Sequence, residues 1–141
     1  AMTGEGVIEW ANGDRYEGSV QNGIKVGKGK YYYRNGNIFE GYFIADKKEG
    51  FGTLTFNNGD VYKGEFKNNN RTGKGTLTLA NGDTYEGEFL NGNMHGEGTY
   101  TWADGEKFTG TWVNNKRNGE GLLVTKQGEQ QVLTYANGER Q

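Results

Sequence analysis

The chain has 141 residues and a formal net charge of −2, with 26 glycines, no proline and no cysteine. The length suggests a single domain, and the lack of cysteine excludes disulfides, zinc–thiolate sites and a thiol nucleophile. The near-neutral charge argues against a dedicated nucleic-acid-binding protein, and no apolar run approaches the roughly 20 residues of a membrane-spanning helix.

The glycine content disfavours helices, because each helical glycine costs roughly 1 kcal/mol relative to alanine. A disordered glycine-rich linker would be rich in serine and proline, whereas aromatic residues make up 13% of this chain. The composition therefore predicts a turn-rich β protein.

The glycines recur with a period of 23 residues. The paired glycines are Gly4/Gly6, Gly27/Gly29, Gly50/Gly52, Gly73/Gly75, Gly96/Gly98 and Gly119/Gly121. Each unit is predicted to form two strands, which in the fourth unit are residues 84–89 and 98–102. Internal repetition at this period is typical of repeat architectures. The predicted fold is all-β: a single elongated, twisted antiparallel sheet of stacked β-hairpins, with about five to six units.

The turn inside each hairpin follows from which residues must share a face. A two-residue loop at Asn81 and Gly82 would pair Leu79 with Thr84, whereas a three-residue loop pairs Leu77 with Tyr85. Only the three-residue loop places the apolar residues on one face, because a one-residue slip reverses every side chain. We therefore predict a type I turn closed by Gly82 with a positive φ.

The connections between hairpins are predicted to be longer loops of polar and small residues. They are residues 21–26, 44–49, 67–72, 90–95 and 113–118. Together these loops carry a net positive charge, and the glycine turns carry a net negative charge. The pattern predicts a basic border and an acidic border along the sheet.

One face of the sheet is predicted to hold large apolar residues around a glycine, so that a ring can lie over the empty position. These rings are predicted to form the core of the sheet. Because no second layer covers a single sheet, the same rings are also predicted to line a groove that a partner can occupy. The candidate groove residues are Trp10, Tyr16, Tyr33, Phe39, Phe56, Tyr62, Tyr85, Trp102, Phe108 and Trp112.

The run from Asn81 to Tyr100, with Tyr85, Gly87 and the pair Gly96/Gly98, closely resembles the MORN (membrane occupation and recognition nexus) repeat. The resemblance implies an elongated array of β-hairpins. It also implies a binding or assembly module, since the family occurs in junction-forming membrane proteins, cytoskeletal scaffolds, lipid kinases and a lysine methyltransferase. In those enzymes, catalysis resides in other domains.

The repeat pattern changes at both ends of the chain. Residues 1–3 are expected to be a non-native remnant, and residues 4–128 to be the repeat array. Beyond Gly128 the aromatic position is Gln131 and the glycine position is Leu133. The segment 133–138 resembles a second strand and turn that is ten residues out of phase. Residues 129–141 are therefore expected to be a degenerate C-terminal cap or the start of a truncated continuation.

The expected function is non-catalytic protein binding or scaffolding through the aromatic face, with a protein segment or a second copy as the partner. The alternative is a peripheral membrane module that binds anionic phospholipids through the basic border. The candidate contacts to lipid or to an acidic partner are Lys25, Lys47, Lys48, Lys67, Arg71, Lys116 and Arg117. No cofactor, metal, nucleic acid or enzymatic activity is expected. The predicted location is cytoplasmic, with a membrane- or cytoskeleton-associated form as the alternative.

Overall fold

The computed structural model describes residues 3–141, which contain thirteen β-strands and no helix. The chain divides into two compact units, Ala1–Asn70 and Arg71–Gln141. The strands of the first unit are β1 (Gly4–Glu9), β2 (Arg15–Gln21), β3 (Ile24–Tyr32), β4 (Ile38–Ile44), β5 (Lys47–Thr55) and β6 (Val61–Lys67). Those of the second are β7 (Asn70–Thr78), β8 (Thr84–Leu90), β9 (Asn93–Thr101), β10 (Lys107–Val113), β11 (Lys116–Val124), β12 (Gln130–Ala136) and β13 (Glu139–Arg140).

Within each unit, strands that follow one another in the chain pair antiparallel. Local antiparallel pairing of this kind needs no crossover connection. The predicted all-β fold of stacked hairpins is therefore confirmed.

The three-residue glycine turn is also confirmed. Leu77 lies opposite Tyr85 in the paired strands β7 and β8. The N–H of Gly82 donates to the carbonyl of Leu79 at 2.9 Å, and Gly82 has φ +98°. Glycine closes this turn because an L side chain is strained at that φ.

The predicted longer loops between hairpins are wrong, because these connections are two-residue turns. Strand β8 ends at Leu90 and β9 begins at Asn93. Asn91 and Gly92 have φ of 49° and 88°, the left-handed pair that defines a type I′ turn. Type I′ turns match the twist of the flanking strands, which makes them common in hairpins.

A β-bulge explains why the sequence pattern suggested a longer loop. Phe89 pairs with Met94, but Gly87 pairs with Gly98, so β9 contains two extra residues between these pairs. Gly96 lies within this bulge and has φ +85°. The bulge absorbs the additional residues inside the strand, so the aromatic residues stay on one face although the turn is tight.

Neighbouring hairpins are joined at these turns by reciprocal hydrogen bonds. The N–H of Lys48 donates to Oδ1 of Asn69 at 2.9 Å, and the N–H of Asn69 donates to the carbonyl of Lys48 at 3.1 Å. The same exchange joins Met94 to Asn115 in the second unit. The bonds satisfy turn groups that would otherwise have only water as a partner.

The core of each unit lies on one face of its strands, where a ring covers a pair of glycines. Phe39 is fully buried, and a Cβ built on Gly41 or on Gly52 would lie 2.7 Å from its ring. No side chain larger than hydrogen fits there without displacing the ring. The rings at the same position in the other repeats are also buried: Tyr16, Tyr62, Tyr85 and Phe108.

The C-terminal segment continues the array in phase, so the predicted ten-residue offset is wrong. In the pairing of β11 with β12, Leu133 lies opposite Gly121 and Gln131 opposite Leu123. Leu133 occupies a glycine position and is buried, while Gln131 is exposed. Since Gln131 places no ring over this position, the leucine side chain fills the space that a ring fills elsewhere.

Candidate protein-binding face

The predicted groove residues divide into a buried set and an accessible set. The buried residues are Tyr16, Phe39, Tyr62, Tyr85, Phe108 and Trp112. The half-buried residues are Trp10, Tyr33, Phe56 and Trp102. The buried set forms the sheet core, so most of the predicted ring surface that a partner could reach belongs to the half-buried set. We call this set the open aromatic row, taken separately in each unit: Trp10, Tyr33 and Phe56 in the first unit and Trp102 in the second.

The open aromatic row stands where the strands run into the glycine turns. Trp102 directly follows β9, and its N–H donates to the carbonyl of Glu106 at 2.8 Å across the turn. Trp10 makes the same type of bond to Asp14 at 3.0 Å. The turn geometry therefore holds the backbone beneath each ring.

Neighbouring rings support the open row from the strand side. Trp10 stacks on Tyr31 with ring centroids 5.4 Å apart. The ring centroids of Tyr31 and Tyr33 are 4.6 Å apart. Trp102 lies 4.9 Å from Tyr100. Such aromatic pairs contribute stability in addition to that from the area that they bury. The rings of the open row are therefore held in place by their neighbours.

Partly buried carboxylate–tyrosine pairs hold the supporting rings in place. The hydroxyl of Tyr100 donates to Asp83 at 2.7 Å, and the N–H of Ala103 donates to the same carboxylate at 2.9 Å. These two hydrogen bonds lower the pKa of Asp83. The hydroxyl of Tyr31 donates in the same way to Asp14 at 2.7 Å. The pKa of Tyr31 is raised mainly by burial and secondly by this hydrogen bond.

Cations recur every 23 residues beside the rings, at Lys25, Lys48, Arg71 and Arg117, with Met94 replacing the cation in one repeat. The ammonium of Lys25 lies 5.2 Å from the ring centroid of Trp10. The guanidinium of Arg117 lies 4.1 Å from that of Tyr135 and 5.7 Å from that of Trp102. These are cation–π distances.

The predicted basic border is therefore split between two locations. Lys25, Lys48 and Arg117 lie over rings on the aromatic face. Lys47, Lys67 and Lys116 are exposed, and Arg71 is half-buried. Sequence reasoning treated the basic residues as one border because it placed them in loops. Their strict recurrence at every 23rd residue was the signal that they belong to the repeat's aromatic face.

An open cleft of about 470 Å³ lies on this face in the second unit. Its lining includes Met94, Tyr100, Trp102, Trp112 and Arg117. Ligand sites commonly have volumes of roughly 300–1,000 Å³. Of the predicted groove residues, the structure brings only Trp102 and Trp112 together in this cleft, and the contribution of Met94 was not predicted.

Within residues 3–141, no group of three or more His, Asp or Glu residues is placed to hold a metal ion. Nor do those residues form a helix with the length and apolar character needed to cross a membrane.

The repeat period, the hairpin geometry and the ring-over-glycine core together define a β-hairpin repeat protein. The sequence pattern of the MORN repeat matches residues 1–15, 16–38, 39–61, 62–84, 85–107 and 108–130. The chain therefore belongs to the MORN repeat family. No curated protein matches the chain as a relative.

Among solved structures, the chain is similar to the TCP domain of SAS-4 (dCPAP) from Drosophila melanogaster, which was solved in complex with a proline-rich motif of Ana2. The two are 19% identical, the match covers 93% of this chain and 72% of that one, and the TM-score is 0.60. This likeness shows a shared fold.

Two further matches have low TM-scores and support no argument. The TCP10 domain of Danio rerio CPAP, solved with a peptide of Danio rerio STIL, is 18% identical over 93% of this chain and 94% of that one, with a TM-score of 0.23. Virginiamycin B lyase from Staphylococcus aureus is 15% identical over 94% of this chain and 56% of that one, with a TM-score of 0.25.

Proposed function

We propose that this chain is a non-catalytic protein-binding module that binds an extended, proline-rich segment of another protein on its aromatic face. The observation that carries the proposal is the open aromatic row, in which large rings remain half-exposed beside a buried core. Trp and Tyr dominate the residues that carry binding energy in protein interfaces.

The chemistry of the row suits a proline-rich ligand. Proline-rich segments adopt a preformed extended helix that docks into aromatic-lined grooves. The backbone carbonyl groups of such a segment can accept hydrogen bonds from the protein. The indole N–H groups of Trp10 and Trp102 can donate them, because neither is hydrogen-bonded to another residue of the described range 3–141. By contrast, the indole of the buried Trp112 donates to the carbonyl of Gly98 at 3.2 Å.

The shared fold also supports binding of a proline-rich segment. The TCP domain of SAS-4 was solved with a proline-rich motif bound, and the present chain shares its fold. The cleft beside Trp102 offers space of the right order for one or two side chains of such a segment.

The test is a titration with a synthetic, capped proline-rich peptide, followed by isothermal calorimetry and tryptophan fluorescence. We expect Tyr33→Ala and Trp102→Ala to weaken binding by about tenfold or more each, because hot-spot truncations cost roughly 2 kcal/mol. The matched control is Phe51→Ala, a ring that is 62% exposed on the opposite face. Circular dichroism checks that each variant is folded.

Two alternative functions predict different results in related experiments. Membrane association predicts co-sedimentation with anionic vesicles but not with neutral ones, and its loss when Lys47 and Lys116 are changed to Glu. Self-association predicts a mass above that of one chain in light scattering, falling when residues 119–141 are removed. If the peptide does not bind, or binds equally to the Trp102→Ala variant, the proposal is wrong.

A further inference from the structure

The backbone carbonyl of each repeated cationic residue accepts a hydrogen bond from the N–H of a residue in the turn of the next hairpin, and the identity of that residue changes along the chain. The residue 21 positions after the cation is Asp46 for Lys25, Asn69 for Lys48, Gly92 for Arg71 and Gly138 for Arg117. Only the first of these pairs contains a carboxylate.

Lys25 is neutralised by a carboxylate in the turn of the next hairpin. Its ammonium lies 3.1 Å from Oδ1 of Asp46, and its backbone N–H donates to the same oxygen at 2.8 Å. The Lys25 side chain is only 13% exposed. A carboxylate therefore compensates a cation that has largely left water.

Lys48 occupies the equivalent position without a counter-ion. Asn69 keeps the backbone bond, accepting the N–H of Lys48 at 2.9 Å, but its amide has no charge. The described residues provide no ion pair for the Lys48 ammonium, which lies 5.1 Å from the ring centroid of Tyr33 and 5.4 Å from that of Phe39. Lys48 is half-buried.

The electrostatic consequence is an ammonium that lacks part of its hydration and has no negative charge beside it. Burial, together with the nearby positive charge of Lys25, lowers the pKa of Lys48. A carboxylate brought to this position from outside would interact favourably with the cation, because the attraction strengthens where water is partly excluded.

We propose that Lys48 binds a carboxylate of the partner segment, so that the partner is a proline-rich segment containing an aspartate or glutamate. The inference rests on the proposed function, since Tyr33 in the open aromatic row lies beside the Lys48 ammonium. The segment would place its apolar residues on the row of the first unit, beside Tyr33, and its acidic side chain at Lys48.

The test uses twin capped peptides of identical proline-rich sequence, one with a single glutamate and one with glutamine at the same position. The glutamate peptide is expected to bind the natural chain about tenfold more tightly, a factor that corresponds to about 1.4 kcal/mol. Calorimetry at low salt measures both affinities, and the preference should shrink as salt is added.

Two variants locate the preference. Lys48→Met should abolish it while the chain still folds, because Met94 occupies this position in another repeat. Asn69→Asp should abolish it as well by supplying an internal carboxylate like that of Asp46. The matched controls are Lys63→Met, an exposed lysine on the opposite face, and Asn68→Asp, which adds the same charge one residue away. Both controls should keep the preference.

The outcomes separate the inference from the function on which it rests. If both peptides bind equally and Tyr33→Ala weakens both, the segment-binding function stands and the role of Lys48 is overturned. A preference that persists in Lys48→Met also overturns it. If neither peptide binds, both proposals fail. A preference that is lost in Lys48→Met and Asn69→Asp but kept in the two controls supports the inference.

Discussion

Replacing Gly52 by alanine should destabilise the fold by forcing a methyl group into a buried ring. The added Cβ would lie 2.7 Å from Cε1 and 2.9 Å from Cζ of Phe39. Normal carbon contacts are about 3.5–4.0 Å, so the ring would have to move by roughly 0.8 Å to reach that range. The backbone of Gly52 is not in the left-handed region, so the effect reports packing alone.

The Phe39 ring has little room for that movement. It packs edge-on against Phe43, with centroids 5.3 Å apart, and against Phe66 at 4.9 Å. Overpacking of a core typically costs about 1–3 kcal/mol. For a chain of this size, this cost corresponds to a fall in the thermal midpoint of roughly 3–10 °C.

The assay is thermal and urea unfolding followed by circular dichroism and tryptophan fluorescence. A double-mutant cycle with Phe39→Ala provides the control, because the alanine at position 52 should cost much less once the ring is absent, with the Glu40 carbonyl left as a close neighbour at 3.2 Å. The natural combination of Gln131 with Leu133 shows the same relation between a missing ring and an added side chain. If Gly52→Ala unfolds like the natural chain, or if its cost persists without the ring, the reasoning is refuted.

Three further predictions concern single residues and pH. Ala45→Asn should raise stability by about 0.5–1 kcal/mol in urea unfolding, because Ala45 has φ 49° in its turn and Asn tolerates this region; no gain would contradict it. The lowered pKa of Asp83 means that its stabilising effect is present above about pH 4, the unfolded value, and is lost as the pH falls through the folded pKa. Acid titrations should therefore show a weaker loss of stability in Asp83→Asn, and an unchanged profile would count against this role. Burial raises the pKa of Tyr85 to about 12, so its stabilising effect should fade between about pH 10, the unfolded value, and pH 12. Fluorescence-monitored unfolding should show this loss in the natural chain and a smaller one in Tyr85→Phe.

The regular part of the fold was predictable because every repeat has the same spacing of glycines and apolar residues. The pairing of Leu77 with Tyr85 followed from the requirement that apolar residues share a face, and the structure has that pairing. Gly82 could be assigned a positive φ because the three-residue turn requires one. Repetition of the same pattern removed the ambiguity that a single hairpin would have left.

The type I′ turns and the cations over the rings were not predictable in the same way. The register across Asn91 and Gly92 depends on a bulge that alternation of side chains does not reveal. The position of Lys48 over Tyr33 depends on where a long flexible side chain lies once the strands are paired. For the same reason, the sequence could nominate ring residues for binding but could not separate the buried Phe39 from the half-buried Tyr33.

The reciprocal bonds between successive turns, such as those that join Lys48 to Asn69, have a consequence for how the chain opens. Each hairpin is held in place by its immediate neighbours, so loss of order should advance one hairpin at a time from a free edge inward. Among the described residues, strand β1 pairs only with β2, and β13 pairs only with β12. Amide hydrogens in these two strands should exchange with solvent first, and those of the strands flanked on both sides should exchange last.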